Sequence, residues 1–204
     1  MNFTEHYNDH NRIAVYPGRY CPWHKNHYES YQNIVKEFGK DNVYIAATDK
    51  VDLPTSPFTF IEKKQIITTM FPDIPEDKII QVKNPYTANE IVDTMTEDTT
   101  YVTVLGEKDS NRLTIGGYFE MYDNKKFLES HKHKGYVFVA PPNTTIYNEQ
   151  LVSGTLIREI FAKGSSEERQ KLFNFIYPEF NKEVFDLIIN KIEGNSLKGE
   201  NENG

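Results

Sequence analysis

The residues best suited to chemistry lie in one short stretch, residues 13–31, IAVYPGRYCPWHKNHYESY. An apolar run that predicts a buried strand breaks at a proline and a glycine, and a predicted helix follows. The connection carries four cationic or protonatable side chains, Arg19, His24, Lys25 and His27. A helix start adds a positive field, and an imidazole titrates near neutral pH, where bound phosphate favours its protonated form. The stretch therefore predicts a binding site for an anion such as a triphosphate.

Two later segments have the same character. Lys63 and Lys64 lie near the start of a predicted helix, and residues 153–158, SGTLIR, place hydroxyl and backbone N–H groups at another helix start beside Arg158. Taken alone, each segment is typical of a solvated helix face or an ordinary helix cap. Three helix starts suited to phosphate in one chain of 204 residues favour a common phosphate site instead.

The elements that must position these segments alternate along the chain. Short apolar runs predict strands, and segments with helical spacing predict helices between and after them. Strand–helix–strand units of this length are right-handed and build parallel sheets. We therefore predict an α/β fold, a Rossmann-like parallel sheet with flanking helices and a C-terminal helical segment. The predicted strands are residues 13–16, 42–48, 78–82, 100–105 and 136–140, and the predicted helices are residues 28–38, 59–70, 88–95, 156–162, 166–176 and 182–192.

The length of 204 residues suits one compact domain. We predict a polar N-terminal lead-in over residues 1–12 and a single domain over residues 13–192, with C-terminal helices at residues 166–192. A disordered tail is expected over residues 193–204. Residues 110–134 break the alternation of strands and helices, which predicts an inserted loop or hairpin.

Composition excludes several classes of protein. A formal net charge of −7 disfavours a nucleic-acid binder, which needs a concentrated basic surface. Cys21 is the one cysteine, so no intrachain disulfide forms, and we expect it to be chemically passive. No apolar segment approaches the ~20 residues that span a bilayer, and the amino end lacks a signal-peptide core. We expect a cytoplasmic protein without a membrane partner, and its state as a monomer or homo-oligomer stays open.

Three segments, in this order, resemble the signature of the HxGH-type nucleotidylyltransferases, most closely the archaeal-type nicotinamide mononucleotide (NMN) adenylyltransferases. Residues 18–27, GRYCPWHKNH, match G-R-F-x-P-x-H-x-G-H. Residues 56–63, SPFTFIEK, match N-P-F-[ST]-x-x-E-R, and residues 153–158 match S-G-T-x-I-R. The resemblance covers roughly residues 13–162 and implies a Rossmann-like nucleotidyltransferase that binds a nucleoside triphosphate.

The resemblance also implies roles for individual residues. In that family an acceptor phosphate attacks the α-phosphorus of a nucleoside triphosphate, and pyrophosphate leaves with Mg²⁺ held mainly by phosphate oxygens. The implied catalytic residues are His24 and His27, which would hold the triphosphate and stabilise the transition state, and Arg158 and Lys63, which would bind its β- and γ-phosphates. The implied nucleotide-binding residues are Gly18, Arg19, Tyr20, Asn26, Ser153, Gly154 and Thr155.

The acceptor and the metal are less constrained by the sequence. Lys108 and Asp109 follow a predicted strand at the edge where open α/β sheets bind ligands, so we predict that they contact the acceptor. No protein metal site is predicted, because His131 and His133 lack a further clustered ligand and are typical of a solvated loop.

Two positions depart from the family pattern. Asn26 stands where the family has glycine, and Lys63 keeps the charge of the usual arginine but loses its bidentate fork. Our first hypothesis is AMP transfer from ATP to a small phosphorylated acceptor such as NMN, a step of NAD biosynthesis. Two alternatives stay open: a cytidylyltransferase that acts on a phosphorylated alcohol or sugar, and a non-catalytic nucleotide-binding regulator.

Overall fold

The structure, a computed structural model, describes residues 11–201, with side chains described as far as residue 194. Its strands are β1 Arg12–Pro17, β2 Val43–Ala47, β3 Ile79–Gln81, β4 Thr100–Leu105, β5 Phe119–Met121, β6 Gly135–Val139, β7 Ile146–Tyr147 and β8 Gln150–Leu151. Its helices are α1 Lys25–Phe38, α2 Phe60–Met70, α3 Asn89–Val92, α4 Gly154–Lys163, α5 Ser166–Ile176 and α6 Lys182–Asn201. No helix in this described part is both long enough and apolar enough to cross a membrane.

Six strands form one parallel sheet in the order β3-β2-β1-β4-β6-β5. The two central strands are apolar on both faces, and Ala14, Val15 and Val102 are fully buried, as expected where helices cover a parallel sheet. The strand order reverses between β1 and β4, and ligands of open α/β sheets bind beside such a reversal, at the carboxyl ends of the strands. The predicted α/β, Rossmann-like fold is confirmed.

The segment of residues 110–134 adds a strand that the sequence did not predict. β5 pairs in parallel with β6 and forms the edge strand on that side of the sheet. A Cβ atom at Gly135 would lie 2.6 Å from a ring carbon of Phe119, so the glycine permits this close pairing. Three residues, FEM, carry too little alternation to predict a strand, and the rest of the segment is 3₁₀ helix, turn and irregular chain.

Several helix ends differ from the predicted ones. α1 begins at Lys25, before the predicted start, and α3 is only four residues long. α6 continues past Ile192 to Asn201. The remaining tail residues, 202–204, and residues 1–10 of the predicted lead-in lie outside the described residues.

The described chain divides into two compact units made of interleaved segments. The sheet unit comprises residues 11–18, 30–47 and 78–142, and the helical unit comprises residues 19–29, 48–77 and 143–201. The sheet unit has a core of aliphatic and aromatic side chains from β1, β2, β4 and the α3 region, namely Ile13, Val15, Ala46, Val82, Ala88, Ile91 and Tyr101. The helical unit packs together aromatic rings from α4, α5, α6 and the connection between α5 and α6, namely Phe161, Phe173, Tyr177, Phe180 and Phe185.

Candidate functional site

The turn that precedes α1 is held by buried aromatic rings. Tyr20 and Trp23 are buried, with ring centroids 4.8 Å apart, and the Tyr177 hydroxyl donates to the Trp23 carbonyl at 2.7 Å. Tyr20 has φ of 49°, a left-handed conformation that is rare for a bulky residue and that concentrates at functional sites. The predicted nucleotide-binding residue Tyr20 therefore lies inside the turn, where its ring packs edge-on to His27.

Backbone N–H groups set the tautomers of both histidines. The amide of Asn26 donates to Nδ1 of His24 at 3.4 Å, and the amide of His24 donates to Nδ1 of His27 at 3.3 Å. A neutral imidazole whose Nδ1 accepts a hydrogen bond carries its proton on Nε2. The two rings, 4.1 Å apart between centroids, therefore each offer one Nε2–H donor.

Burial keeps these imidazoles neutral. Desolvation, and then the neighbouring His27 ring, hold the pKa of His24 well below its usual range. Desolvation lowers the pKa of His27 to about 4. At neutral pH both side chains are uncharged hydrogen-bond donors, which differs from the near-neutral titration expected of an imidazole in this turn. The cause is the packing of the turn, which removes the rings from water.

The start of α4 carries the second predicted segment. Ser153 caps the helix, with its Oγ accepting from the amide of Leu156 at 3.2 Å, and itself remains exposed. Nη1 of Arg158 donates to the Cys21 carbonyl at 2.7 Å, and Nη2 donates to Oγ1 of Thr155 at 3.3 Å. These bonds bring the arginine and the helix start against the turn that holds His24.

Gly154 allows this approach. A Cβ atom there would lie 3.0 Å from Nη1 of Arg158 and 3.2 Å from the Cys21 carbonyl oxygen, which is tighter than ordinary packing. Partial burial lowers the pKa of Arg158, and the nearby charge of Arg19 acts in the same direction. Arg19 itself is exposed, so the turn and α4 present a cationic surface at this point.

Lys63 lies inside the helical unit. A capping box between Thr59 and Glu62 starts α2, and Lys63 follows in its first turn with only 1% of its surface exposed. Its Nζ donates to the carbonyl of Thr48 at 2.8 Å. Desolvation lowers the pKa of Lys63, while Cys21 and Asp49 oppose that shift. The predicted phosphate ligand is thus paired with a backbone carbonyl.

Asn26 is the least expected member of the site. It is the second residue of α1 and is 5% exposed, and its Nδ2 donates to the carbonyl of Val152 at 3.1 Å. Its Oδ1 is buried and has no hydrogen-bond partner among the described residues. The side chain therefore ties α1 to the residue that precedes the Ser153 cap, and leaves one acceptor unsatisfied.

The structure brings most of the predicted residues together in the helical unit. They are Arg19, Tyr20, His24, Asn26, His27, Lys63, Ser153, Gly154, Thr155 and Arg158. Gly18, Lys108 and Asp109 belong to the sheet unit. There the amide of Gly18 donates to the Ala46 carbonyl at 3.1 Å, and Lys108 is exposed in a 3₁₀ helix, Glu107–Arg112, where Asp109 pairs with Arg112.

Sequence reasoning missed the atoms that tie the site together. They are the backbone carbonyls of Cys21, Thr48 and Val152, which accept from Arg158, Lys63 and Asn26. Every residue type has a carbonyl, so composition carries no signal for them. The aromatic residues around Cys21 were the one available hint that this turn is a packed structure.

The described residues contain no group of three or more His, Cys, Asp or Glu side chains arranged to hold a metal ion. A divalent cation at this site would therefore take most of its ligands from phosphate oxygens and water, as Mg²⁺ commonly does. The donor-rich surface of His24, His27 and Arg158 fits a ligand that brings its own negative charge.

Comparison with solved structures supports the fold. A bifunctional NMN adenylyltransferase/ADP ribose pyrophosphatase from Francisella tularensis superposes with a TM-score of 0.50 and 15% identity, over 88% of this chain and 52% of that one. The fold is shared with an adenylyltransferase. The present chain spans about half the length of that bifunctional enzyme. At this identity the likeness concerns the fold alone.

Two further structures are similar at lower scores. The Francisella tularensis enzyme complexed with AMP and a Mn ion gives a TM-score of 0.49 at 16% identity, over 88% of this chain and 52% of that one. The Plasmodium falciparum nicotinic acid mononucleotide adenylyltransferase complexed with APC gives 0.48 at 14% identity, over 92% of this chain and 97% of that one. No family model matches the sequence, and no curated protein matches it.

Proposed function

We propose that this protein is a nucleotidyltransferase of the HxGH type, closest to the archaeal-type enzymes, that moves AMP from ATP onto a small phosphorylated acceptor and releases pyrophosphate. NMN is the first candidate acceptor. The observation that carries the proposal is the convergence of two Nε2–H donors, from His24 and His27, with Arg158 and the α4 start on one turn. The fold shared with an NMN adenylyltransferase is consistent with it.

The reaction needs alignment and charge stabilisation more than a protein nucleophile. An oxygen of the acceptor phosphate forms a new bond to the α-phosphorus, and the bond from that phosphorus to the bridging oxygen of pyrophosphate breaks. The electron pair leaves with pyrophosphate, and no proton has to move. Donors aimed at the phosphoryl oxygens stabilise the negative charge that redistributes in the transition state.

His24 and His27 supply such donors. Because their Nδ1 atoms accept backbone N–H groups, the rings are held in place with Nε2–H free to point at a phosphate oxygen. A neutral donor in a desolvated site is suited to this task, since it need not lose hydration when the nucleotide binds. As a phosphate ester approaches, its charge raises the pKa of both rings and strengthens the bonds.

Arg158 is the proposed ligand of the β- and γ-phosphates. Its bonds to Cys21 and Thr155 orient the guanidinium, and a guanidinium has further N–H donors for phosphate oxygens. The N-terminal amides of α4 add a positive field at the same place. Arg19, exposed on the turn, adds a mobile cation for the triphosphate or the acceptor.

Lys63 contributes positive potential from inside the helical unit. Its contact with the Thr48 carbonyl would have to break for the ammonium to reach a phosphate directly. Mg²⁺, carried mainly by the triphosphate, would neutralise charge on the β- and γ-phosphate oxygens. Lys108 and Asp109 remain the proposed acceptor contacts, because they follow β4 at the carboxyl edge of the sheet.

A product assay tests the proposal. The full chain is incubated with Mg²⁺, each of ATP, CTP, GTP and UTP, and a panel of acceptors that includes NMN, nicotinic acid mononucleotide, a phosphorylated alcohol and a sugar phosphate. We expect NAD and pyrophosphate from ATP and NMN. Consumption of CTP with a phosphorylated alcohol, and no NAD, would replace the proposal with the cytidylyltransferase alternative.

The buried Lys63 and Asn26 side chains favour a second candidate, a nucleotide-binding regulator without transfer activity. The buried Asn26 side chain fills space where the resemblance implies a glycine beside the nucleotide. The Lys63 ammonium is bound to the Thr48 carbonyl, although the resemblance implies that it binds phosphate. Calorimetry that detects ATP binding, together with no pyrophosphate release on any acceptor, would support this candidate over the enzyme.

A further inference from the structure

Asn26 presents an unsatisfied hydrogen-bond acceptor at the start of α1. Only 5% of the residue is exposed, and Oδ1 has no hydrogen-bond partner among the residues that the structure describes. Buried polar atoms of folded proteins are almost always paired, so an orphan at a candidate site calls for a partner. The partner must be a donor, because a carboxamide oxygen only accepts.

The orientation of this carboxamide follows from its other bond. Nδ2 donates to the Val152 carbonyl at 3.1 Å, and exchanging the two amide atoms would set Oδ1 against that carbonyl, acceptor facing acceptor. The unsatisfied atom of Asn26 is therefore the oxygen. The same argument excludes a phosphate as its partner, since ionised phosphate oxygens also only accept.

The neighbouring groups have the opposite polarity. Nε2–H is the remaining donor of His24 and of His27, and Arg158 is cationic, so the phosphates of a bound nucleotide belong on their side. Oδ1 of Asn26 suits the part of a nucleotide that carries donors, which is the nucleoside. Its donors are the ribose hydroxyls and, in adenine, guanine and cytosine, an exocyclic amino group.

Within the described chain Oδ1 is unpaired while Nδ2 keeps its bond to Val152, so a ligand donor that reaches Oδ1 adds a hydrogen bond without breaking that one. The present arrangement keeps one hydrogen bond and leaves one unmade. A ligand that carries such a donor should therefore bind more tightly than an analogue that lacks it.

We propose that Asn26 is a specificity-determining residue whose Oδ1 accepts a hydrogen bond from the nucleoside part of the bound nucleotide. The inference rests on the proposed function, because it needs a nucleotide at this site. It assigns to Asn26 a contact that a glycine cannot make, so the departure from the family pattern becomes a means of recognition.

Calorimetry on the full chain tests the contact without turnover. The ligands are the Mg²⁺ complexes of ATP, 2′-deoxyATP, 3′-deoxyATP and purine riboside triphosphate, which lacks the 6-amino group. We expect the wild-type chain to bind one analogue about tenfold more weakly than ATP, the scale of one unmade hydrogen bond. The analogue that loses affinity tells a ribose hydroxyl from the base amine.

Asn26→Leu removes the acceptor at similar volume, and Asn42→Leu is the matched control, since Nδ2 of Asn42 also donates to a backbone carbonyl, that of Phe38, at 2.9 Å. We expect the ratio of ATP affinity to analogue affinity to fall close to one in Asn26→Leu and to stay at its wild-type value in Asn42→Leu. Asn26→Ala, which cannot overpack the turn, should give the same loss of discrimination if the leucine variant does not fold.

Three results would overturn the inference. Equal affinity of the wild-type chain for ATP and all three analogues would overturn the inference but not the proposed function, since a protein group or a water molecule would then satisfy Oδ1. Discrimination that persists in Asn26→Ala would do the same, because another residue would then make the contact. Failure of the wild-type chain to bind any nucleotide would overturn the proposed function as well.

Discussion

His24 and His27 show how the packing of a short turn determines the chemistry of its side chains. Each Nδ1 accepts a backbone N–H, which leaves Nε2–H as the remaining donor, and desolvation keeps both rings neutral. Neutral donors at fixed positions can stabilise charge that develops on a phosphoryl group. The same burial makes the rings sensitive to acid, so activity and stability give separate tests.

His27→Ala tests the role in catalysis. We expect turnover of ATP and the acceptor to fall about 10²-fold or more, the scale for loss of one transition-state donor. Steady-state pyrophosphate release measures it. His133→Ala is the control, because His133 is exposed in the sheet unit and has no assigned role. Unchanged turnover in His27→Ala would show that the site lies elsewhere.

Acid should destabilise the protein through His27. Its pKa is about 4 in the folded chain, against an ordinary value of 6.5, so between these values the unfolded chain binds a proton that the folded chain does not. The free energy of unfolding therefore falls as the pH drops from about 6.5 towards 4. The stability that neutral His27 contributes is fully present above pH 6.5.

Urea denaturation at pH 7, 6 and 5 measures the effect. Carboxyl groups also titrate in this range, so the comparison is between wild type and His27→Gln, which should lose part of the pH dependence. His133→Gln should keep the wild-type dependence. Identical slopes for wild type and His27→Gln would show that the His27 ring is solvated in the folded chain.

At the scale of elements, the start of α4 depends on a single small residue. The Ser153 cap orients the helix, and Gly154 lets the Arg158 guanidinium reach the Cys21 carbonyl. α1 is fixed against the same region through Asn26 and Val152. Two helix starts thus contact one turn.

Gly154→Ala tests this arrangement against a matched glycine. The added methyl group would press on Arg158, 3.0 Å away, so we expect nucleotide affinity to fall roughly tenfold, about the effect of one charged hydrogen bond. Gly194→Ala in α6 meets nothing within 4 Å and should stabilise the chain by up to about 1 kcal/mol at unchanged affinity. Calorimetry and urea denaturation measure both. Wild-type affinity in Gly154→Ala would mean that Arg158 does not touch the nucleotide.

At the scale of the whole molecule, the chain passes repeatedly between two compact units. The sheet unit supplies the strands whose carboxyl ends lead into the functional segments, and the helical unit contains nearly all of the predicted phosphate ligands. The predicted phosphate ligands come from segments that are far apart in sequence, so ligand binding should stabilise the folded chain against global unfolding.

Thermal unfolding with and without nucleotide tests this linkage. At 100 times its dissociation constant, Mg·ATP should stabilise the wild-type chain by about 2.7 kcal/mol and raise Tm by several degrees. The double variant His24→Ala/His27→Ala should lose most of the shift, whereas His133→Ala should retain it. An equal shift in the double variant would place ATP at another site.

Local pattern was sufficient to predict the strand and helix alternation and the parallel sheet. Strand 100–105 and helix 166–176 were predicted with their observed ends, because apolar alternation and helical spacing are properties of neighbouring residues. β5 was not predicted, because its three residues show no apolar alternation. It pairs with β6 because Gly135 leaves room for the Phe119 ring.

The sequence by itself determined which residue types stand at three helix starts, and therefore the prediction of a phosphate site. Only the tertiary structure decided the direction of each side chain: Lys63 towards the Thr48 carbonyl, Arg158 towards Cys21, and Asn26 towards Val152. The catalytic and binding roles assigned to them stay predictions. The physical reason is that adjacent residues specify where a helix starts. The backbone carbonyls that accept from these side chains belong to residues distant in sequence, and only the packing of the folded chain brings them within hydrogen-bond distance.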